Sequence, residues 1–237
     1  MIVPSMNNNE VRAQIKPEFD KIHKTTLVRL SDEYRKERKK LSIDKTRAYT
    51  RIYPIKTTGK NTWLIFINKP AHCKKFLDDS GTNFVCIVYY FNQTGIRVFR
   101  EVGDHRTTVF SAHFFQRYNE RLKLNILNTL DIVKHYFTYN NDVSEGQYPK
   151  NNKNYAVGYA RDGLLLGLVE SNDTWLYWKT FVNRGIVRKG QHDMEFNLIE
   201  MMIEQDMDRD PDDAGSGQVP YESPMDKLKR ILGTRNE

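Results

Sequence analysis

The chain has 237 residues, 39% hydrophobic and 12% aromatic, with 37 Lys and Arg against 30 Asp and Glu and a formal net charge of +7. That suffices for one large domain with extensions and a real core, and it excludes a chain that is disordered throughout or fibrous. The longest apolar runs, Phe84 to Phe91 and Leu164 to Val169, fall far short of the ~18 residues of a membrane-spanning helix, so no span is expected.

Met1 to Val11 has no basic region followed by an apolar stretch, so no cleavable secretory signal is expected. Cys73 and Cys86 alone make neither a disulfide framework nor a zinc ribbon, and a reducing cytoplasm is the expected compartment. The charge is uneven. Residues 1–100 hold 20 Lys and Arg against 9 Asp and Glu, a balance of +11; residues 101–200 hold 12 against 12; residues 201–237 hold 5 against 9, a balance of −4. A basic first half suits a polyanion such as RNA, or an acidic protein partner or inhibitor.

Along the chain, Phe19, Ile22, Leu27, Leu30, Tyr34 and Leu41 recur at helical spacing and predict an amphipathic helix from Glu18 to Leu41 within a basic arm, residues 1–45. Arg35, Lys36, Arg38, Lys39 and Lys40 crowd its last turns, where cations also favour the helix dipole. A globular α+β domain is expected over 46–205, with a mainly antiparallel sheet of about seven strands. Arg47 to Lys56 and Thr62 to Lys69 flank a turn-forming loop, as do Asn83 to Phe91 and Ile96 to Val102, giving four antiparallel strands. Pro70 to Asp79, which includes Lys74 and Lys75, is expected to form a short helix.

Ser111 stands where an N-cap belongs, before a helix over His113 to Leu122. A second helix is expected over Asn125 to Phe137, then a polar loop from Tyr139 to Asn154 long enough to border a site. Tyr155 to Ala160, Leu164 to Glu170 and Thr174 to Val182 read as a three-stranded meander turning at Arg161-Asp162-Gly163. A Met-rich helix over Gln191 to Gln205 closes the domain, and an acidic linker with a short tail helix fills 206–237. The alternating Asp206, Asp208, Asp210 and Asp212 fail as a calcium loop, because Pro211 and Gly217 stand at its glycine and closing glutamate positions.

The segment with most chemistry is Ser111 to Arg121. On a helix, His113, Arg117 and Arg121 lie four apart in one stripe, with Gln116 and Glu120 beside it. RNA cleavage without a metal needs a base for the 2′-hydroxyl, an acid for the leaving oxygen and cations beside the phosphate. An imidazole with two guanidiniums meets most of those needs, and Glu120, Tyr118, Tyr159 and Lys179 are candidates for the remaining group. The alternative is structural: His113 packs near the helix start and the arginines pair with acids such as Glu120 or Asp162.

No metal site and no cofactor are expected: the histidines lack partners at ligand spacing, and Thr57-Thr58-Gly59-Lys60 lacks the first glycine of a phosphate-binding loop. The helix with His-x-x-x-Arg-x-x-x-Arg, a second helix, and a meander carrying Asp162-Gly163-Leu164-Leu165-Leu166-Gly167 and Thr180-Phe181-Val182 resembles bacterial toxin-type ribonucleases. That group joins barnase, EndoU, colicin RNase and RelE-like folds, and the likeness covers about residues 111–182. It implies metal-independent RNA cleavage and a fold in which a helix packs on a curved antiparallel sheet that carries basic residues; in that group the acid–base residues lie mostly on strands, whereas here His113, Arg117 and Arg121 fall on the helix.

The resulting expectation is an RNA-acting bacterial protein of toxin or phage-defence type, a metal-independent endoribonuclease using His113, Arg117, Arg121 and Glu120. Nucleic acid would be bound by Arg35, Lys36, Arg38, Lys39, Lys40, Lys74, Lys75, Arg161 and Lys179. The alternatives are a non-catalytic module that binds nucleic acid or protein through its basic half, and a structural protein that assembles into a homo-oligomer through its amphipathic ends.

Overall fold

Asn7 starts the first helix, α1 (Asn8–Lys21), with a capping box: its side chain accepts from the Glu10 N–H at 3.0 Å and Glu10 accepts from the Asn7 N–H at 2.8 Å. The expected start at Glu18, after Pro17, is therefore too late. Pro17 lies inside α1, where the missing N–H costs one bond and the cap and buried face hold the helix. Val11, Ile15, Ile22, Leu27 and Leu30 are buried along one side. The step of five from Ile22 to Leu27 exceeds a helical turn, and a π turn over Ile22–Thr26 absorbs it, keeping the later leucines on the same face.

The computed structural model describes residues 1–30, 32, 49–69, 84–102, 106–140, 143–150, 153–170 and 174–183. The chain divides into Met1–Arg188 and Lys189–Glu237, and every described residue belongs to the first unit. The rest of the expected basic helix, the helix at Pro70 to Asp79, the Met-rich helix and the acidic tail lie outside the described residues.

Among the described residues nine strands make one mixed sheet: β1 (Tyr49–Lys56), β2 (Thr62–Lys69), β3 (Phe84–Asn92), β4 (Gly95–Val102), β5 (Arg106–Phe110), β6 (Ser144–Lys150), β7 (Lys153–Tyr159), β8 (Gly163–Val169) and β9 (Trp175–Asn183). Their order is β1-β2-β3-β4-β5-β9-β8-β7-β6. Two antiparallel meanders, β1 to β5 and β6 to β9, meet at a parallel seam where Thr107 pairs with Trp175 and Phe110 with Trp178. The α+β class and the mainly antiparallel sheet stand, while the described sheet has nine strands where about seven are expected and contains one parallel pairing. Both edge strands, β1 and β6, contain a proline (Pro54 and Pro149), which cannot donate to a neighbouring strand.

The expected loop over Tyr139 to Asn154 is for the most part a hairpin. β6 pairs with β7 from Ser144↔Tyr159 to Lys150↔Lys153. Its sequence reads as loop because an edge strand can keep polar residues in water, and Glu145, Gly146 and Gln147 are exposed.

Between the meanders run α2 (Ala112–Arg121) and α3 (Thr129–Tyr139). Ser111 caps α2 as its position predicts, accepting from the Phe114 N–H at 3.2 Å. The second helix begins later than expected because Asn128 accepts from the N–H groups of Leu130 and Asp131. Alternation along β2 divides the core. Leu64 and Phe66 face the side of α2 and α3, whereas Trp63, Ile65 and Ile67 face α1. Under α2 and α3, Phe110, Phe114, Tyr118, Tyr136, Phe137 and Phe181 form mostly edge-to-face contacts with centroids 5.0 to 6.2 Å apart.

On the other face, Glu18 fixes α1 to the β1–β2 hairpin by accepting from Thr57 Oγ1 at 2.7 Å, Asn61 Nδ2 at 3.0 Å and Trp63 Nε1 at 2.8 Å. Glu101 is buried and accepts from Thr107 Oγ1 at 2.7 Å. Burial raises its carboxyl pKa, opposed by the Thr107 bond and by the charges of Arg12 and Lys16. Among the described residues no helix is long and apolar enough to cross a membrane.

Candidate nucleic-acid interface

α2 carries the predicted stripe, and its guanidiniums are engaged inside the fold. Arg117, with a side chain 12% exposed, donates from Nε to His113 Nε2 at 3.4 Å and from Nη1 to Glu120 at 3.1 Å. An Nε2 that accepts must keep its lone pair, so this contact belongs to the neutral imidazole. Arg121 donates to the Phe181 carbonyl and, at 3.5 Å, to Thr180 Oγ1, while Asn183 Nδ2 returns a bond to the Arg121 carbonyl at 2.9 Å. These bonds fasten α2 to the end of β9.

On the adjoining face of α2, Tyr118 reaches a polar cluster built by three elements. The β7–β8 turn presents Arg161 and Asp162 and is closed by the Ala160 N–H donating to the Gly163 carbonyl at 2.9 Å. Gly163 is required there, since an added Cβ would lie 2.1 Å from the Val182 carbonyl oxygen. The Tyr118 hydroxyl donates to Asp162 Oδ2 at 2.9 Å. Asn140, the C-cap of α3, donates to the same carboxylate oxygen at 2.8 Å and accepts from the Asp162 N–H at 3.0 Å. Asn140 also donates to the Tyr118 oxygen at 3.2 Å, and His135 Nδ1 lies 3.0 Å from it.

A phenol has one proton. Because that proton goes to Asp162, the Tyr118 oxygen is an acceptor toward His135, whose Nδ1 therefore carries the hydrogen. The neutral ring then keeps its lone pair on Nε2, where no described group bonds it. Burial lowers the His135 pKa, and the Asp162 charge offsets this in part. Burial, then Asp162, raises that of Tyr118, so its hydroxyl stays protonated at neutral pH.

The cluster opens onto an aromatic surface. Tyr139, 43% exposed, lies with its ring centroid 4.6 Å from that of His135, and the Arg161 guanidinium sits 5.5 Å from the Tyr139 centroid. Tyr159, on the same hairpin as Arg161, is 59% exposed. A ring face, a guanidinium and a neutral imidazole thus meet where the C-terminal end of α3 lies beside the β7–β8 turn.

Lys179 is elsewhere. It is the bulged residue where the β8–β9 register jumps from Leu166↔Thr180 to Gly167↔Trp178, and its Nζ is 5.8 Å from the centroid of Tyr177, which packs toward the α1 side. Arg35, Lys36, Arg38, Lys39, Lys40, Lys74 and Lys75 lie outside the described residues. Among the described residues no three His, Cys, Asp or Glu converge as a metal site. Cys86 is buried in β3, and burial pushes its thiol up to about 12, leaving it unreactive at neutral pH.

The sequence points to Arg161 and the α2 stripe, whereas His135, lacking a partner at ligand spacing, reads there as structural, and Tyr139 and Asn140 belong to no motif. One local signal was available, the i, i+4 pairing of His135 with Tyr139 on α3. Comparisons of the chain with protein-family models, with curated proteins and with solved structures gave no match.

Proposed function

We propose that the chain binds single-stranded RNA at the surface formed by Tyr139, Arg161 and His135. The observation that carries this reading is the Arg161 guanidinium poised over an exposed tyrosine ring that also contacts a half-buried histidine. An exposed ring offers a stacking platform to any base, and the guanidinium beside it suits the adjoining phosphate. The basic excess of the first 100 residues adds long-range attraction for a polyanion. Arg121 supports the surface by fastening α2, which holds Tyr118, to β9, while Arg117 bonds His113 and Glu120 along α2 itself.

The test is binding of a fluorescently labelled single-stranded RNA by the full chain and by Tyr139→Ala and Arg161→Ala. Loss of one stacked base costs ~1–3 kcal/mol, so Tyr139→Ala weakens binding roughly 5- to 150-fold. Arg161→Ala weakens binding and flattens its dependence on salt by about 0.7 in the log–log slope, the value for one phosphate contact on a single strand. Parental affinity in both variants overturns the proposal.

A further inference from the structure

We infer that His135 Nε2 accepts the hydrogen bond of a ribose 2′-hydroxyl, so that this surface distinguishes RNA from DNA; the inference rests on the RNA-binding reading above. The surface has a ring face for a base and a guanidinium for a phosphate, and a guanidinium only donates. A 2′-hydroxyl that donates needs an acceptor of another kind. Nε2 supplies it because the chain Asp162–Tyr118–His135 sends each proton the other way: Tyr118 donates to Asp162, and His135 donates from Nδ1 to Tyr118. Asn140 completes the lock, holding Asp162 through its side-chain amide and through the Asp162 N–H.

The consequence is a fixed tautomer. A histidine free in solution exchanges its proton between the two nitrogens, and half-buried His135 is held as an acceptor at its unbonded edge by groups on α2 and on the β7–β8 turn. Orientation of an imidazole by a partner on its other nitrogen is a general device for setting what the exposed nitrogen can do. The 2′-hydroxyl is the group by which a protein tells ribose from deoxyribose.

The experiment measures affinity for three labelled single strands of one sequence: RNA, the 2′-deoxy form and the 2′-O-methyl form. The last keeps the RNA-like sugar but has no hydroxyl proton. The full chain is expected to bind RNA about 5-fold more tightly than both of the others, the worth of one neutral hydrogen bond. His135→Phe keeps a ring beside Tyr139, so binding of the 2′-deoxy strand persists while the preference for RNA disappears. Tyr118→Phe leaves Nδ1 without its acceptor and reduces the preference.

Equal affinity for all three strands in the parent overturns the inference and leaves RNA binding standing, whereas failure to bind any of them removes both. Full preference retained in His135→Phe also overturns the inference. Full preference retained in Tyr118→Phe overturns the locked tautomer on which it depends.

Discussion

Two tyrosines in the same aromatic cluster, with centroids 5.1 Å apart, should respond in opposite ways to the same substitution. Tyr118→Phe removes a hydroxyl that donates to the Asp162 carboxylate at 2.9 Å and accepts from Asn140 at 3.2 Å. The ring remains and fills its place, so there is no cavity to charge for. What is lost is a hydrogen bond to a charged acceptor, about 1.5–3 kcal/mol. Tyr136→Phe removes a hydroxyl that is fully buried and has no partner, so the folded state is relieved of a desolvation cost and gains up to about 1 kcal/mol. The two variants should therefore differ by about 1.5–4 kcal/mol, or roughly 3–16 °C in Tm at ~2–4 °C per kcal/mol for a unit of this size. Urea unfolding with a shared m-value measures the difference directly. Variants within about 0.5 kcal/mol of each other, or a larger loss at Tyr136 than at Tyr118, would show that hydrogen bonding in this cluster does not control its stability.

Glu18→Ala leaves Thr57, Asn61 and Trp63 without their shared acceptor and should cost about 2–4 kcal/mol in urea unfolding; a loss under about 0.5 kcal/mol would mean α1 is held by its apolar face alone. Glu101→Gln should raise the unfolding midpoint at pH 8 and leave it nearly unchanged at acid pH. The folded pKa of Glu101 lies above its unfolded value, so its contribution is full below the unfolded value and is lost as pH rises through the folded one. A gap between parent and variant that shrinks as pH rises would contradict that sign.

The elements most legible in the sequence were those whose signals are local. Ser111 before an apolar helix, the hairpin around Asn92 to Gly95 and the Arg161-Asp162-Gly163 turn each depend on a few adjacent residues, and each stands where expected. β5 is not legible in the sequence because its neighbour on the seam is β9, and five residues with two threonines carry little signal until that partner arrives. β6 was hidden by the polarity that an edge strand tolerates, and α1 by a proline that its cap and buried face overcome. The candidate site divides the same way. The stripe on α2 follows from spacing of four, but the bond from Arg121 to the β9 backbone does not. The bonds joining Tyr118, His135, Asn140 and Asp162 require α2, α3 and the β7–β8 turn to meet, which no periodicity records.

The parallel seam also sets the order in which the sheet can close. β5 leaves the ribosome long before its partner, since Thr107 pairs with Trp175, 68 residues further on. Until then the first meander ends in an open edge bearing Val109 and Phe110, both buried in the finished protein. Truncations that stop before β9 should therefore yield sticky, self-associating fragments, and joining of the two meanders should be a late event in folding, governed by closure of that long loop.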